Sequence, residues 1–531
     1  MPMKKTLLVL VPGYRGDPSS LRPLHDAIIA EGVLSDSESL DFYYPEPIWS
    51  NRDLETVAQK LADEIDSRIH DDSQNIERII LLGHSMGSLV LRRAFINAIG
   101  CGSTPGIAQT WAARVERIIL IGAFGRGLDL SKIRNKRQRR QLKFLYAVSR
   151  LFRIGGMRWQ VLAGSDFVSR LRVDWIFFNR SSSQKPIVVH LLGSNDEYIR
   201  REDVIDLEQF PHAISIGIPD ATHADVILPK RTSLGQLKRA FVETPSDAPA
   251  VIEMAEAKKV FFLLHGIRDS RDCFHRVAKQ LKHRCPDAKI VVPDYGYLSA
   301  RSFVSSAARN RFVPWFVDQY SELMASNPGA EFYFAGHSNG TYILGESLRR
   351  IPRLRFDHVY LAASVLPAEY DWNDVVKKHR QTEFVRSDMG TEDWPVGVLC
   401  RVLNRWGMRS IGPGGFDGFQ YGDQDHIAHY RFTGGHGSML TGLNVKSIAD
   451  YLLTGNVMAD EGSAEEVSDG AFSIFKKYGD VLIPLIALAM VALFIFLVAA
   501  HWLWPGTIVA TVGPISAFAL LITGWIVAGR F

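Results

Sequence analysis

Two serines in this chain stand in the same setting of small residues. Ser85 lies in Gly83-His84-Ser85-Met86-Gly87, and Ser338 lies in Gly336-His337-Ser338-Asn339-Gly340. A serine hydroxyl becomes a useful nucleophile only with a base beside it, a carboxylate orienting that base, and N–H donors for the oxyanion it creates. Downstream of Ser85 the sequence offers Asp196, in Gly193-Ser194-Asn195-Asp196, and His223, in Ala221-Thr222-His223. Asp166, Asp203 and Asp220 are the alternative carboxylates. Downstream of Ser338 it offers His436, in Gly434-Gly435-His436-Gly437, with Asp393 preferred to Asp388 and Asp417. Ser, then acid, then His is the chain order that accompanies a G-x-S-x-G turn. The oxyanion donors expected are the main-chain N–H groups of Met86 with Tyr14 or Arg15, and of Asn339 with Ile267. His426, His429 and His436 fall close together, but no carboxylate shares their spacing, so they read as loop histidines. Neither a metal nor a cofactor is expected.

Each serine needs a rigid mount. The apolar run Arg78–Leu82 reads as a buried strand, and the residues after Ser85 carry apolar side chains at helical spacing, so Ser85 falls on a strand-to-helix turn. Glu331 to Leu344 repeats this pattern around Ser338. Before Ser85 come a strand, Thr6–Val11, breaking at Pro12-Gly13, and an amphipathic helix, Asp53–Ile69. After it come the strands Val115–Ile121, Lys185–Gly193 and Ala213–Ile218. Asp196 and His223 sit in the loops after the last two, where sites of open α/β sheets gather. Alternating strands and helices predict a mostly parallel sheet covered on both faces. The second half repeats the order from Lys259–Leu264. Gly266 follows Gly13 by 253 residues, as Ser338 follows Ser85, which indicates two copies of one domain. The expected boundaries are 1–243 for the first domain, 244–257 for a linker rich in breakers, 258–455 for the second domain and 456–475 for a polar tether.

At 531 residues the chain is too long for a single core, and 47% hydrophobic with 22% charged residues excludes wholesale disorder. Its four cysteines show no paired or zinc-type spacing, which argues against a disulfide scaffold. The apolar start, Met1 to Val11, lacks a cleavage-type ending and reads as the first strand. Two uncharged apolar runs close the chain, 481–504 and 507–527. Joined by Pro505-Gly506, they predict a transmembrane hairpin over 476–531, with Trp502, Trp504 and Trp525 near the run ends. Lys476, Lys477 and Arg530 flank it, which places both ends and both large domains on the cytoplasmic side. The net charge of +4 says little by itself. The insertion 126–185 is more telling, because from Arg126 to Arg158 its only acid is Asp129. Leu142, Leu145, Val148, Leu151 and Phe152 line one helical face there. Such a basic amphipathic helix suits a lid over a pocket, a bilayer surface, or both. Nucleic acid is not expected as a partner, since no recognition module surrounds the basic residues.

These motifs resemble the α/β-hydrolase superfamily in both halves. The Pro12-Gly13 loop, G-H-S-M-G, Leu192-Gly193-Ser194-Asn195-Asp196 and Ala221-Thr222-His223 match its oxyanion loop, elbow, acid and histidine motifs in order. The run Ala163–Leu171 looks like segments of lipase-like members related to enzymes that remodel glycolipid anchors. In the second half His265-Gly266, G-H-S-N-G and Gly434-Gly435-His436-Gly437 match, while the acid motif departs from the pattern. The resemblance spans Lys4 to about Thr454. It implies hydrolysis of an ester, thioester or amide without a cofactor. A membrane-anchored serine hydrolase acting on lipid or acyl esters is therefore expected. The alternatives are a tethered binding or scaffold protein built on degenerate hydrolase domains, and a hydrolase of soluble esters or peptides.

Overall fold

The computed structural model describes residues 5–14, 17–34, 36–45, 51–70, 75–102, 108–133, 135–152, 154–181, 185–200, 203, 210, 212–230, 233–245, 257–266, 272–293, 300–422, 425–442, 444–456 and 470–503. They fall into two compact units, Met1–Ala255 with Val317–Pro328, and Glu256–Phe316 with Gly329–Phe531.

The first unit holds six parallel strands: β1 (Thr6–Val11), β2 (Ser37–Asp41), β3 (Arg78–His84), β4 (Val115–Ile121), β5 (Ile187–Gly193) and β6 (Ala213–Ile218), in the order β2-β1-β3-β4-β5-β6. Strands such as Thr6–Val11 are buried along their whole length, as expected of parallel strands covered on both faces. The second unit repeats the plan with β7 (Lys259–Leu264), β8 (Lys289–Val291), β9 (Glu331–His337), β10 (Phe356–Ala362), β11 (Thr382–Gly390) and β12 (Ile427–Phe432). Its order, β12-β11-β10-β9-β7-β8, is the first sheet's order read from the other edge.

In the first unit the helices relevant to the site are α1 (Arg22–Ala30), α2 (Leu54–Ile69), α3 (Met86–Ala98), α4 (Lys136–Phe152), α5 (Gly156–Gln160) and α6 (Asp166–Ser181). Helix α3 runs through the middle of the unit and is buried along nearly all its length. It buries a cation there: Arg93 Nε meets Glu55 of α2 at 2.7 Å, and its Nη1 meets Asp174 of α6 at 2.7 Å. This pairing locks the element behind Ser85 to its two neighbours. In the second unit Phe262, Phe316, Phe334 and Phe356 pack ring on ring beneath β9, the strand that carries Ser338.

Two expectations change at this level. The polar tether does not run to 475, because a helix, Gly470–Leu503, begins inside it. The base of that helix packs on the second unit through Phe472 against Trp394 and through Asp480 with Arg405 at 3.0 Å. Among the described residues no helix is long and apolar enough to cross a membrane, so the two-span hairpin is not supported as structure. Its second run, 507–527, lies outside the described residues, as do several side chains between 487 and 503; the unbroken apolar run is a property of the sequence. Described side chains of the upper helix, including Val481, Leu485, Leu488, Val491, Ile495 and Phe496, are exposed.

Candidate active site

Ser85 stands where β3 ends and α3 begins, with φ 52° and ψ −123°, a conformation that costs a side-chain-bearing residue roughly 1–3 kcal/mol. Neighbouring hydrogen bonds hold it there. Ser85 N–H donates to Ile121 O at the end of β4 (2.9 Å), and Ser88 Oγ donates to Ser85 O (2.6 Å). A Cβ on Gly87 would lie 2.3 Å from both Val11 O and Pro12 O, so only glycine lets α3 start this close to the first strand. The strained turn lifts the serine hydroxyl off the sheet edge.

The sheet then brings together residues far apart in sequence. Because β5 and β6 are adjacent, the loops after them meet beside the Ser85 turn. His223 Nε2 lies 2.9 Å from Ser85 Oγ, and His223 Nδ1 lies 2.7 Å from Asp196 Oδ2. Asp196 is fully buried, and its Oδ1 accepts the N–H groups of Tyr198 and Ile199, each at 2.9 Å. One carboxylate oxygen is thereby committed to main chain and the other to the imidazole. Glu197 steadies the histidine loop by accepting His223 N–H at 3.2 Å. The rings of Tyr198 and Phe124 border the His223 ring, with centroids at 5.1 and 5.9 Å.

The Met86 N–H, at the first position of α3, has no intrahelical acceptor and is available to an oxyanion. Tyr14 is described and half exposed, its hydroxyl accepting from Arg158 Nε at 2.9 Å, whereas Arg15 lies outside the described residues. Buried Tyr44 supports this loop by donating to Pro12 O and Gly13 O, the latter at 2.8 Å. The alternative carboxylates are not the partner of His223: Asp203 pairs with Lys132, Asp166 opens α6, and Asp220 sits at φ 55° with its main-chain N–H on Ser194 Oγ.

The second unit builds the same turn. Ser338 has φ 51° and ψ −118°, its N–H donates to Ala362 O at 3.0 Å, and Thr341 Oγ1 donates to Ser338 O at 2.7 Å. His436 Nδ1 lies 2.9 Å from Oδ2 of the fully buried Asp393. Among the described residues no hydrogen bond joins Ser338 Oγ to His436, so the contact that completes the first site is absent here. Asp388 belongs to a buried cluster with Arg386 (2.8 Å), Tyr360 and Asn444, and Asp417 pairs with Arg401 at 2.5 Å. The Asn339 N–H opens its helix as Met86 does, and Ile267 lies outside the described residues. His429 accepts Phe419 N–H at 3.1 Å and His426 lies by Glu383 O; no group able to hold a metal is found among the described residues.

The motif histidines were missed as site residues. His84 Nε2 lies 3.1 Å from His223 O, and His337 Nε2 lies 3.0 Å from His436 O. Burial, with His223 close by, pushes His84 down to about 4, so its imidazole is neutral near pH 7. The signal was present in both G-H-S motifs, but not the partner.

Residues 2–104 match a family described as "Putative serine esterase (DUF676)". No curated protein matches the chain. Among solved structures, the chain is similar to phospholipase PlaB from Legionella pneumophila (15% identity, 36% of this chain and 38% of that one, TM-score 0.25). It is also similar to the Pyrococcus furiosus esterase Pf2001 (15%, 44% and 83%, TM-score 0.29). A third is YbtT, a type II thioesterase of a yersiniabactin biosynthetic pathway (19%, 45% and 94%, TM-score 0.28). The chain thus spans well under half of the phospholipase's length.

Proposed function

We propose that the chain is a serine hydrolase that cleaves carboxylic esters, lipid or acyl esters in particular, at Ser85 through an acyl-enzyme. The continuous line Ser85 Oγ, His223 and Asp196, at 2.9 and 2.7 Å, carries this reading. Ser85 Oγ attacks the ester carbonyl as His223 Nε2 takes its proton, and Asp196 stabilises the imidazolium that forms. Met86 N–H, with a donor from the Gly13 loop, receives the oxyanion. Collapse of the tetrahedral species expels the alcohol, protonated by His223, and leaves Ser85 acylated. Water activated by the same imidazole then releases the acid.

The preference for lipid or acyl esters rests on membrane attachment. Exposed apolar residues along the upper part of Gly470–Leu503 favour a bilayer around it, because water-exposed apolar patches of this extent are costly. The attachment would leave both units facing the cytoplasm. The matching strand orders and 253-residue offset favour two copies of one α/β-hydrolase domain. The pairing of His436 with the buried Asp393 favours a second active site at Ser338, its serine closing onto His436 only with substrate in place. The test is hydrolysis of a short acyl ester by the wild type, Ser85→Ala and Ser338→Ala. Ser85→Ala should lose most of the turnover, and Ser338→Ala only the smaller share that its own site contributes. Full turnover by a folded Ser85→Ala protein defeats the proposal.

A further inference from the structure

Helix α4 turns part of its apolar surface away from the protein. Among its described side chains Tyr146 and Ser149 are the buried positions, with the Tyr146 ring edge-on to Trp159 at 5.3 Å. Leu142 and Val148 are half-buried, and the Leu151 side chain lies outside the described set. Phe144, Leu145 and Phe152 instead project outward, at 72%, 43% and 66% exposure. At 100° per residue Arg137, Arg140 and Gln141 share the outward side with Phe144, and Lys136 and Lys143 flank it. No acidic residue lies on the helix, and none of these cations forms an ion pair among the described residues. The other end of the element is tied to the catalytic loop. Gln138 Nε2 donates to the Tyr198 hydroxyl, and Tyr198 is the ring that borders His223.

We propose that the outward face of α4 is a docking surface for an anionic bilayer, with Phe144 and Phe152 entering the headgroup region among the basic side chains and holding the Ser85 site at the lipid surface. Large apolar side chains interleaved with unpaired cations fit a partner that is both apolar and negative. This deepens the lipid-ester reading and rests on it for its purpose, but not for its test. The full chain carrying Gln141→Cys, labelled there with an environment-sensitive fluorophore, is reconstituted in phosphatidylcholine vesicles with or without phosphatidylserine, using brominated acyl chains as quencher. The unsubstituted chain labelled in parallel supplies the background. Quenching should at least double when phosphatidylserine is present. It should return to the phosphatidylcholine level in Arg137→Glu/Arg140→Glu/Lys143→Glu, since each basic residue is worth about five-fold in surface affinity. A label that stays in water on phosphatidylserine vesicles, or that responds to RNA and not to lipid, overturns the proposal. Turnover of a soluble short ester, read separately, reports on the Ser85 chemistry alone.

A second inference comes from a different observation, the motif histidines. In each unit this ring bridges two loops. Its Nε2–H meets the carbonyl of the catalytic-site histidine, and its Nδ1 lies 3.1 Å from where a Cβ would stand on the oxyanion-loop glycine, Gly13 or Gly266. We infer that His84 is a positioning residue that fixes the His223 loop against the Gly13 loop, and that His337 is its counterpart. His84→Ala should lower kcat about ten- to a hundred-fold, the scale of a 1 Å misplacement, with KM within two-fold. His84→Gln, which keeps an N–H donor, should recover part of the loss. Wild-type kcat in His84→Ala, a change confined to KM, or a His84→Gln protein no better than a folded His84→Ala overturns it. If His84→Ala does not fold, the same kcat and KM readout is taken on His84→Gln alone, where a loss above a hundred-fold or a change confined to KM is equally decisive.

Discussion

Replacing Asp196 by Asn tests how the site sets the tautomer of His223. The Asp196 Oδ1 accepts two main-chain N–H groups at 2.9 Å, so the amide oxygen of an asparagine must take that place. The reverse orientation would point an NH2 group at two donors and forfeit two hydrogen bonds of roughly 0.5–1.5 kcal/mol each. The amide nitrogen then faces His223 Nδ1 and donates to it. That forces the proton onto Nε2, 2.9 Å from Ser85 Oγ, where a lone pair is needed to accept the serine proton. The same substitution in a well-studied Ser-His-Asp protease lowers kcat by about 10⁴, equivalent to roughly 5.5 kcal/mol of barrier. We expect a fall of about that size in kcat on a short p-nitrophenyl ester. The thermal midpoint and circular dichroism should stay close to wild type. An Asp196→Asn protein that is folded and keeps more than a tenth of wild-type kcat would refute this reasoning.

Other outcomes follow from the same geometry. Gly87→Ala forces a methyl against Val11 O and Pro12 O, and should cost about 1–3 kcal/mol of stability and over a hundred-fold in kcat, read by denaturant titration and ester turnover. Arg93→Leu removes the cation shared by Glu55 and the fully buried Asp174 and should destabilise the first unit by about 3–5 kcal/mol; a loss under 1 kcal/mol would show the pair to be dispensable. Burial pushes His190 in β5 down to about 3, and among the described residues neither of its ring nitrogens has a hydrogen-bond partner. A base with a folded value below its unfolded one binds more protons when unfolded, so stability should fall as pH drops from about 6.5 towards 3. Calorimetry across that range should show a flatter dependence for His190→Leu, and an unchanged slope would remove His190 from the explanation.

The first site was legible because its signals are local and ordered. The Ser85 turn announces itself in glycines, and Asp196 and His223 each follow an apolar strand. A sheet in which β5 neighbours β6 does the rest. In the second unit several acids follow Ser338, and partners distant in sequence decide among them. Asp388 lies two residues after Arg386 on the same strand face and is captured by it with Asn444, while Asp393 falls beyond the strand end, where His436 reaches it. The setting of α4 was legible in part. Periodicity finds the stripe that holds Leu145 and Phe152, both exposed, but not that Tyr146 meets Trp159 and that Phe144 faces outward beside them. The role of His84 was hidden because its acceptor, His223 O, lies 139 residues away. The start of the last helix at Gly470 was hidden too, since it depends on Phe472 docking on Trp394.

The central claim is that Ser85 is the activated nucleophile, and covalent labelling tests it most directly. The chain is treated with a fluorophosphonate and the modified peptide is mapped by mass spectrometry. We predict a stoichiometric adduct on Ser85 that forms in step with loss of ester turnover and is abolished by His223→Ala. Turnover destroyed while Ser85 remains unmodified, or an adduct carried by Ser338 alone, would contradict the account.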